Sequence, residues 1–163
     1  MSVNKQLPHV IVLPEDDANR QLANGFHKQV DWNRYRQMQV LPEARGWTHV
    51  VDDFLAVHIA LMDRYPARLM VLLIDCDGEE ERLRHIKEKI PGSLAERVFV
   101  LGALTEPEAL RARLGSYEEI GEKLARDCRE NTNETWGDAL LEHNAAELAR
   151  LREYVLPILF PII

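Results

Sequence analysis

Two acidic clusters carry the chemistry available to this chain. Glu15–Asp16–Asp17 follows the run His9–Val10–Ile11–Val12–Leu13–Pro14, and Asp75 and Asp77 follow Leu69–Met70–Val71–Leu72–Leu73–Ile74. Gathered carboxylates repel one another. An ionised carboxylate at the edge of a core is costly unless it is paired or metal-bound. Hard oxygen donors suit magnesium or manganese, and magnesium takes only one or two protein carboxylates while keeping several waters. Such an ion polarises a phosphoryl oxygen or activates water. Each cluster also has a structural use. Asp16 or Asp17 can cap the helix that follows, and Asp77 can cap the next with Glu80 three residues on as its partner. Capping accounts for neither Glu15 nor Asp75, which stand at the ends of the apolar runs.

The elements that must position these residues follow from the pattern. Short, continuously apolar, branched runs read as strands buried on both faces, the mark of a parallel sheet covered by helices. Strands are expected near 9–13, 37–41, 69–75 and 97–101. Between them, Ala18, Leu22, Ala23 and Phe26 mark one helix, with Gly25 near its end. Val50, Val51, Phe54, Leu55, Val57, His58, Leu61 and Met62 mark a second, stopped at Tyr65–Pro66, and Leu83, Ile86 and Ile90 a third. Alternation of this kind implies right-handed crossovers between parallel strands. Ligands of such sheets bind beyond the carboxyl ends of the strands, at the switch point. A strand order of 2-1-3-4 makes strands 1 and 3 neighbours and brings Glu15, Asp75 and Asp77 to one edge. Arg45–Gly46–Trp47 falls on the same edge. There Arg45 either grips a phosphate or belongs to a turn with Trp47 buried.

Beyond Gly102 the pattern is helical: a capping box at Thr105–Glu106–Pro107–Glu108, then helices over 117–129 and 136–155. The fold class is therefore α/β, a mainly parallel four-stranded sheet with helices on both faces and a helical C-terminal third. Residues 1–163 read as a single domain.

Composition narrows the function classes. A net charge of −7 argues against a broad nucleic-acid-binding surface. Cys76 and Cys128 supply neither a disulfide framework nor zinc spacing. The six histidines show no metal spacing and are assigned to surfaces, with packing within its helix the alternative for His58, and Arg82, Arg84, Lys87 and Lys89 are assigned to a solvated helix face. No leader pattern opens the chain and no apolar stretch approaches about 20 residues, so the expectation is a cytoplasmic protein without a membrane span.

The residues bring a family into view. A glutamate after strand 1 (Glu15) and an Asp-x-Asp after strand 3 (Asp75–Cys76–Asp77) resemble the toprim domain of topoisomerases, primases and overcoming-lysogenization-defect nucleases. The likeness is nearest to small bacterial toprim-like proteins often encoded beside ATPases. It extends from about Val10 to Leu114 and includes an acidic residue after strand 4, where Glu106 or Glu108 stands. Asp16 occupies a position where many toprim domains carry glycine. The resemblance implies a magnesium- or manganese-dependent nuclease, with Glu15 in acid–base chemistry and Asp75 and Asp77 holding the ion, or a non-catalytic relative. It also implies nucleic acid engaged with a partner ATPase.

The same residues resemble a response-regulator receiver domain, with Asp75 as phosphoacceptor and Thr105 as the hydroxyl after strand 4. The interval from Glu15 to Asp75 is longer than usual there, and the lysine after a fifth strand has no counterpart. A third class, an interaction module, rests on the apolar tail 155–163. That tail either packs onto its own core or offers a surface for a partner or a homodimer.

Overall fold

Valine, isoleucine and leucine dominate four short segments that have no polar face, and these form the sheet. β1 (His9–Pro14), β2 (Met38–Val40), β3 (Arg68–Leu73) and β4 (Val98–Leu101) are all parallel and lie in the order β2-β1-β3-β4, as expected. The structure, a computed structural model, describes residues 2–79, 81–105 and 107–161. Val12 pairs with Val40 on one side and Val71 on the other, and Val71 with Phe99. β2 is shorter than its sequence pattern, and β3 closes at Leu73. The ladder continues through loops nonetheless: the Glu15 amide donates to the Leu73 carbonyl (2.9 Å) and the Ile74 amide to that of Leu101 (2.9 Å).

The helices are α1 (Asp17–Lys28), α2 (Trp47–Asp53), α3 (Ile59–Arg64), α4 (Glu81–Glu88), α5 (Glu108–Leu114), α6 (Tyr117–Glu130), α7 (Ala145–Tyr154) and α8 (Leu156–Leu159). Alternate strand residues feed two cores, as the pleat requires. Val10, Val12, Val71, Phe99 and Leu101 pack with α1, α6, α7 and α8. Ile11, Leu13, Met70, Leu72, Val98 and Val100 pack with α2, α3 and α4. Helices α1 and α6 touch backbone to backbone. A Cβ on Gly25 would fall 2.0 Å from the Glu118 carbonyl oxygen, and one on Gly121 would fall 2.0 Å from that of Leu22. Gly25 thus serves a helix crossing, not a helix end.

Several local expectations are revised. Residues 47–64 run helically throughout, but Phe54–His58 is π-helical. The wider turn shifts the apolar stripe, so Phe54 stays buried while Leu55 and Val57 face outwards. Helix α5 starts at Glu108 behind Pro107 with no side-chain cap, in place of the box at Thr105. Helix α4 starts at Glu81, so Asp77 lies four residues ahead of it, and Glu80 is outside the described residues. The helix expected from Trp136 forms only from Ala145, because buried Asp127 claims the preceding loop. Its carboxylate accepts from the Thr132 hydroxyl (2.8 Å) and from the Thr135 and Trp136 amides (2.7 and 3.0 Å). His9 is buried, not superficial. The tail folds back: Val155, Leu156 and Leu159 are buried and Phe160 meets Phe26 at 6.0 Å, while Ile158, Phe160 and Pro161 are half-buried and Pro157 is exposed. Ile162 and Ile163 lie outside the described residues. No helix among the described residues is long and apolar enough to cross a membrane.

Candidate functional site

The parallel register brings the ends of β1 and β3 together and with them the two acidic clusters. One oxygen of Glu15 (Oε2) accepts the Asp75 backbone amide at 2.7 Å. The main chain of Glu15 is fixed on both sides: its amide binds β3, and its carbonyl accepts the amides of Arg45 and Gly46 at 2.8 and 3.1 Å. Arg45 takes a left-handed backbone conformation (φ 67°) to make that contact, and it is exposed at the rim of the site.

Asp16 caps α1, with Oδ1 accepting the Asn19 amide at 2.9 Å. The Asn19 side chain then donates from Nδ2 to Asp16 (2.9 Å) and to Asp75 Oδ1 (3.1 Å). A single neutral amide therefore joins the two clusters. Asp17 turns away and pairs with Arg20.

Asp75 is 5% exposed. Burial pushes its carboxyl up to about 8; the Asn19 bond opposes the rise, and the Asp16 and Glu15 charges add to it. The Glu15 carboxyl is raised too, first by burial, with Asp16 and Asp77 adding and the Asp75 amide and Arg82 opposing. Asp77 is exposed and left-handed (φ 50°). Its counter-charge is Arg82, whose guanidinium donates to the Asp75 carbonyl (2.9 Å), lies 3.5 Å from Asp77 Oδ2 and rests over the Trp47 ring at 5.0 Å. Of the basic residues assigned to a solvated helix face, Arg82 is thus the exception: its side chain is 12% exposed.

β4 forms the far wall. A Cβ at Gly102 would sit 1.6 Å from the Ile74 carbonyl oxygen, so only glycine lets the chain pass this close to β3. Asn144 clasps Gly102 from both sides, accepting its amide at 3.1 Å and donating to its carbonyl at 2.9 Å. The neighbouring turn buries Cys76, with Sγ 3.8 Å from His143 Nε2.

The structure thus gathers Glu15, Asp16, Asp75 and Asp77, with Arg45 at the rim. Glu106 lies outside the described residues. Three residues escape the motif reading: Asn19, Asn144 and Arg82. A signal existed for Arg82, since a cation in the first turn of a helix opposes the helix dipole and calls for another partner. As a donor set, Asp75 and Asp77 have the hard-oxygen chemistry that magnesium or manganese takes. Among the described residues, no three His, Cys, Asp or Glu side chains are gathered as a ready-formed ion centre. Comparison of the chain with protein-family models, with curated proteins and with solved structures finds no match.

Proposed function

We propose that the carboxyl edge of the sheet is a divalent-ion-dependent phosphodiester site of the toprim type. The observation that supports this reading is the junction of Glu15 with Asp75: the half-buried Glu15 carboxylate bonds the main chain of buried Asp75 at the switch point of a parallel sheet, with Asp77 two residues on. Asp75 and Asp77 would hold magnesium or manganese, which when bound neutralises charge on phosphate oxygens. Glu15 is the proton carrier. Its carboxyl, raised first by burial, holds a proton more readily than an exposed glutamate does. Arg45, exposed, and Arg82, bonded to the Asp75 carbonyl, would supply the cations for a phosphate that enters.

With a net charge of −7 the chain repels nucleic acid over most of its surface, so the reading includes a partner, an ATPase by the toprim resemblance, that adds basic contacts. The test incubates supercoiled and single-stranded DNA with manganese, with and without that partner. Glu15→Gln and Asp75→Asn should each lower cleavage by about 100-fold or more. Cleavage that persists undiminished in both variants assigns the activity elsewhere. No cleavage in any condition makes the site a non-catalytic descendant.

A further inference from the structure

We propose that the opposite, amino-terminal edge of the sheet is a binding site for a phosphate oxyanion, with Arg68 as its floor and Lys5 and Arg64 as its rim. Arg68 opens β3 and is 5% exposed, while Lys5 and Arg64 are exposed. All three cations surround one ring: Lys5 Nζ, Arg64 Cζ and Arg68 Cζ lie 5.2, 5.5 and 5.1 Å from the centroid of Tyr65. Arg97 adds a fourth positive charge, donating to the carbonyls of Met62, Tyr65, Pro66 and Arg68. Among the described residues, no carboxylate forms an ion pair with any of these four, in a chain whose net charge is −7. Like charges around one ring repel one another, and an anion among them would offset that repulsion.

Two of the four have structural uses. Arg97 satisfies carbonyls at the end of α3, and Arg64 in its last turn suits the helix dipole. Arg68 is different. Its Nε donates to His9 Nε2 at 3.0 Å, and the other nitrogen of His9 bonds the Leu7 carbonyl at 2.8 Å, so the partner of this buried cation is a neutral ring. Burial pulls the Arg68 guanidinium below its ordinary range. A second observation concerns His58, which closes the π-helical segment: burial first, and then the charge of Arg68, hold the pKa of its ring below the ordinary range, with Asp53 acting in opposition. Its Nδ1 is buried and has no hydrogen-bond partner among the described residues. A guanidinium without an anion and a ring nitrogen without a partner suit an acceptor-rich ligand, and a guanidinium fork matches phosphate oxygens. Because cations already surround Tyr65, the site favours oxyanion over aromatic base. It lies roughly 20–25 Å along the strands from Asp75, so it is independent of the acidic edge.

The experiment titrates inorganic pyrophosphate by calorimetry and a labelled single-stranded oligonucleotide by anisotropy. Wild type is compared with Lys5→Gln/Arg64→Gln, whose exposed positions spare the fold, and with Arg84→Gln/Lys89→Gln, also exposed, as a matched loss of two charges. The first double variant should weaken binding by about tenfold or more, while Arg84→Gln/Lys89→Gln leaves it unweakened. If the oligonucleotide responds as well, with a salt slope shallower by about 1.4 for two lost contacts, the phosphate belongs to a nucleic-acid backbone. If only pyrophosphate responds, it is a free one. Equal affinity in wild type and Lys5→Gln/Arg64→Gln, an equal loss in Arg84→Gln/Lys89→Gln, or no binding of either probe would overturn the proposal.

Discussion

Asp75 and Asp127 are both aspartates, both buried, and opposite in design. Asp127 is saturated by donors: a hydroxyl and two backbone amides converge on it and order the loop that leads towards α7. Glu147 follows the same rule. It accepts the Val100 amide at 2.9 Å, pairs with Lys87 at 3.1 Å and bonds Arg150, tying α7 to β4. Asp75 accepts from Asn19 and stands among other carboxylates. Burial alone therefore does not tell these acids apart; what separates the two kinds is whether donors or further acids surround the carboxylate. The saturated acids hold the fold together, whereas Asp75 is held in place by it at an electrostatic cost.

The sharpest test of that contrast is to remove a saturated acid. Asp127→Ala leaves two buried amides and a hydroxyl without their acceptor, and should destabilise the chain by about 3 kcal/mol or more in urea unfolding. A loss below about 1 kcal/mol would erase the distinction.

Asp75→Asn should act in the other direction and reveal itself through pH. The folded carboxyl titrates near 8 and the unfolded one near 3.8. Between those values the folded state holds the proton that the unfolded state has released. This contribution is therefore fully present below about pH 4 and is lost as pH rises to about 8, by up to about 1.4 kcal/mol per unit. The raised Glu15 carboxyl works with the same sign. Asn at position 75 should flatten much of that fall and gain stability of about 1–2 kcal/mol at pH 8. A wild-type stability that rises from pH 5 to pH 8 while Asp75→Asn stays level would refute the assignment.

Asp16 belongs to both classes, as the cap of α1 and as a repulsive neighbour of Asp75. Losing the cap costs about 1 kcal/mol, and the relief of repulsion offsets part of it. Asp16→Ala should accordingly cost less than about 1 kcal/mol at pH 8 and more at pH 5, as read from paired thermal melts.

The sequence pattern made β1, β3 and their order legible because a strand buried on both faces leaves an uninterrupted apolar run, and the acids at its end stand out against it. Asn19 and Asn144 were not legible. An asparagine in a helix reads as a polar surface residue until the tertiary structure supplies the carboxylate or the backbone it bonds. The π turn at 54–58 hid for a related reason, since the residues of a widened turn are as apolar as those of an α turn. The loop 131–141 looked helical because helical propensity is local, while the claim of Asp127 on that backbone is made across the chain. Arg82 reads as one more charge on its helix, whereas its side chain bonds the loop before it.

The clasp at Gly102 sets where this edge can change. The wall formed by β4 leaves no room for a single methyl group beside Ile74, and Asn144 holds both of its backbone groups. Across the site, a Cβ at Gly78 would meet nothing within 4 Å, but the left-handed backbone there (φ 77°) strains any other residue. Diversification of what this edge accepts, in a laboratory selection or over generations, is therefore channelled into the exposed side chains around it, Pro42, Arg45, Asp77 and Glu79. The β4 side acts as a fixed datum against which those variants are measured.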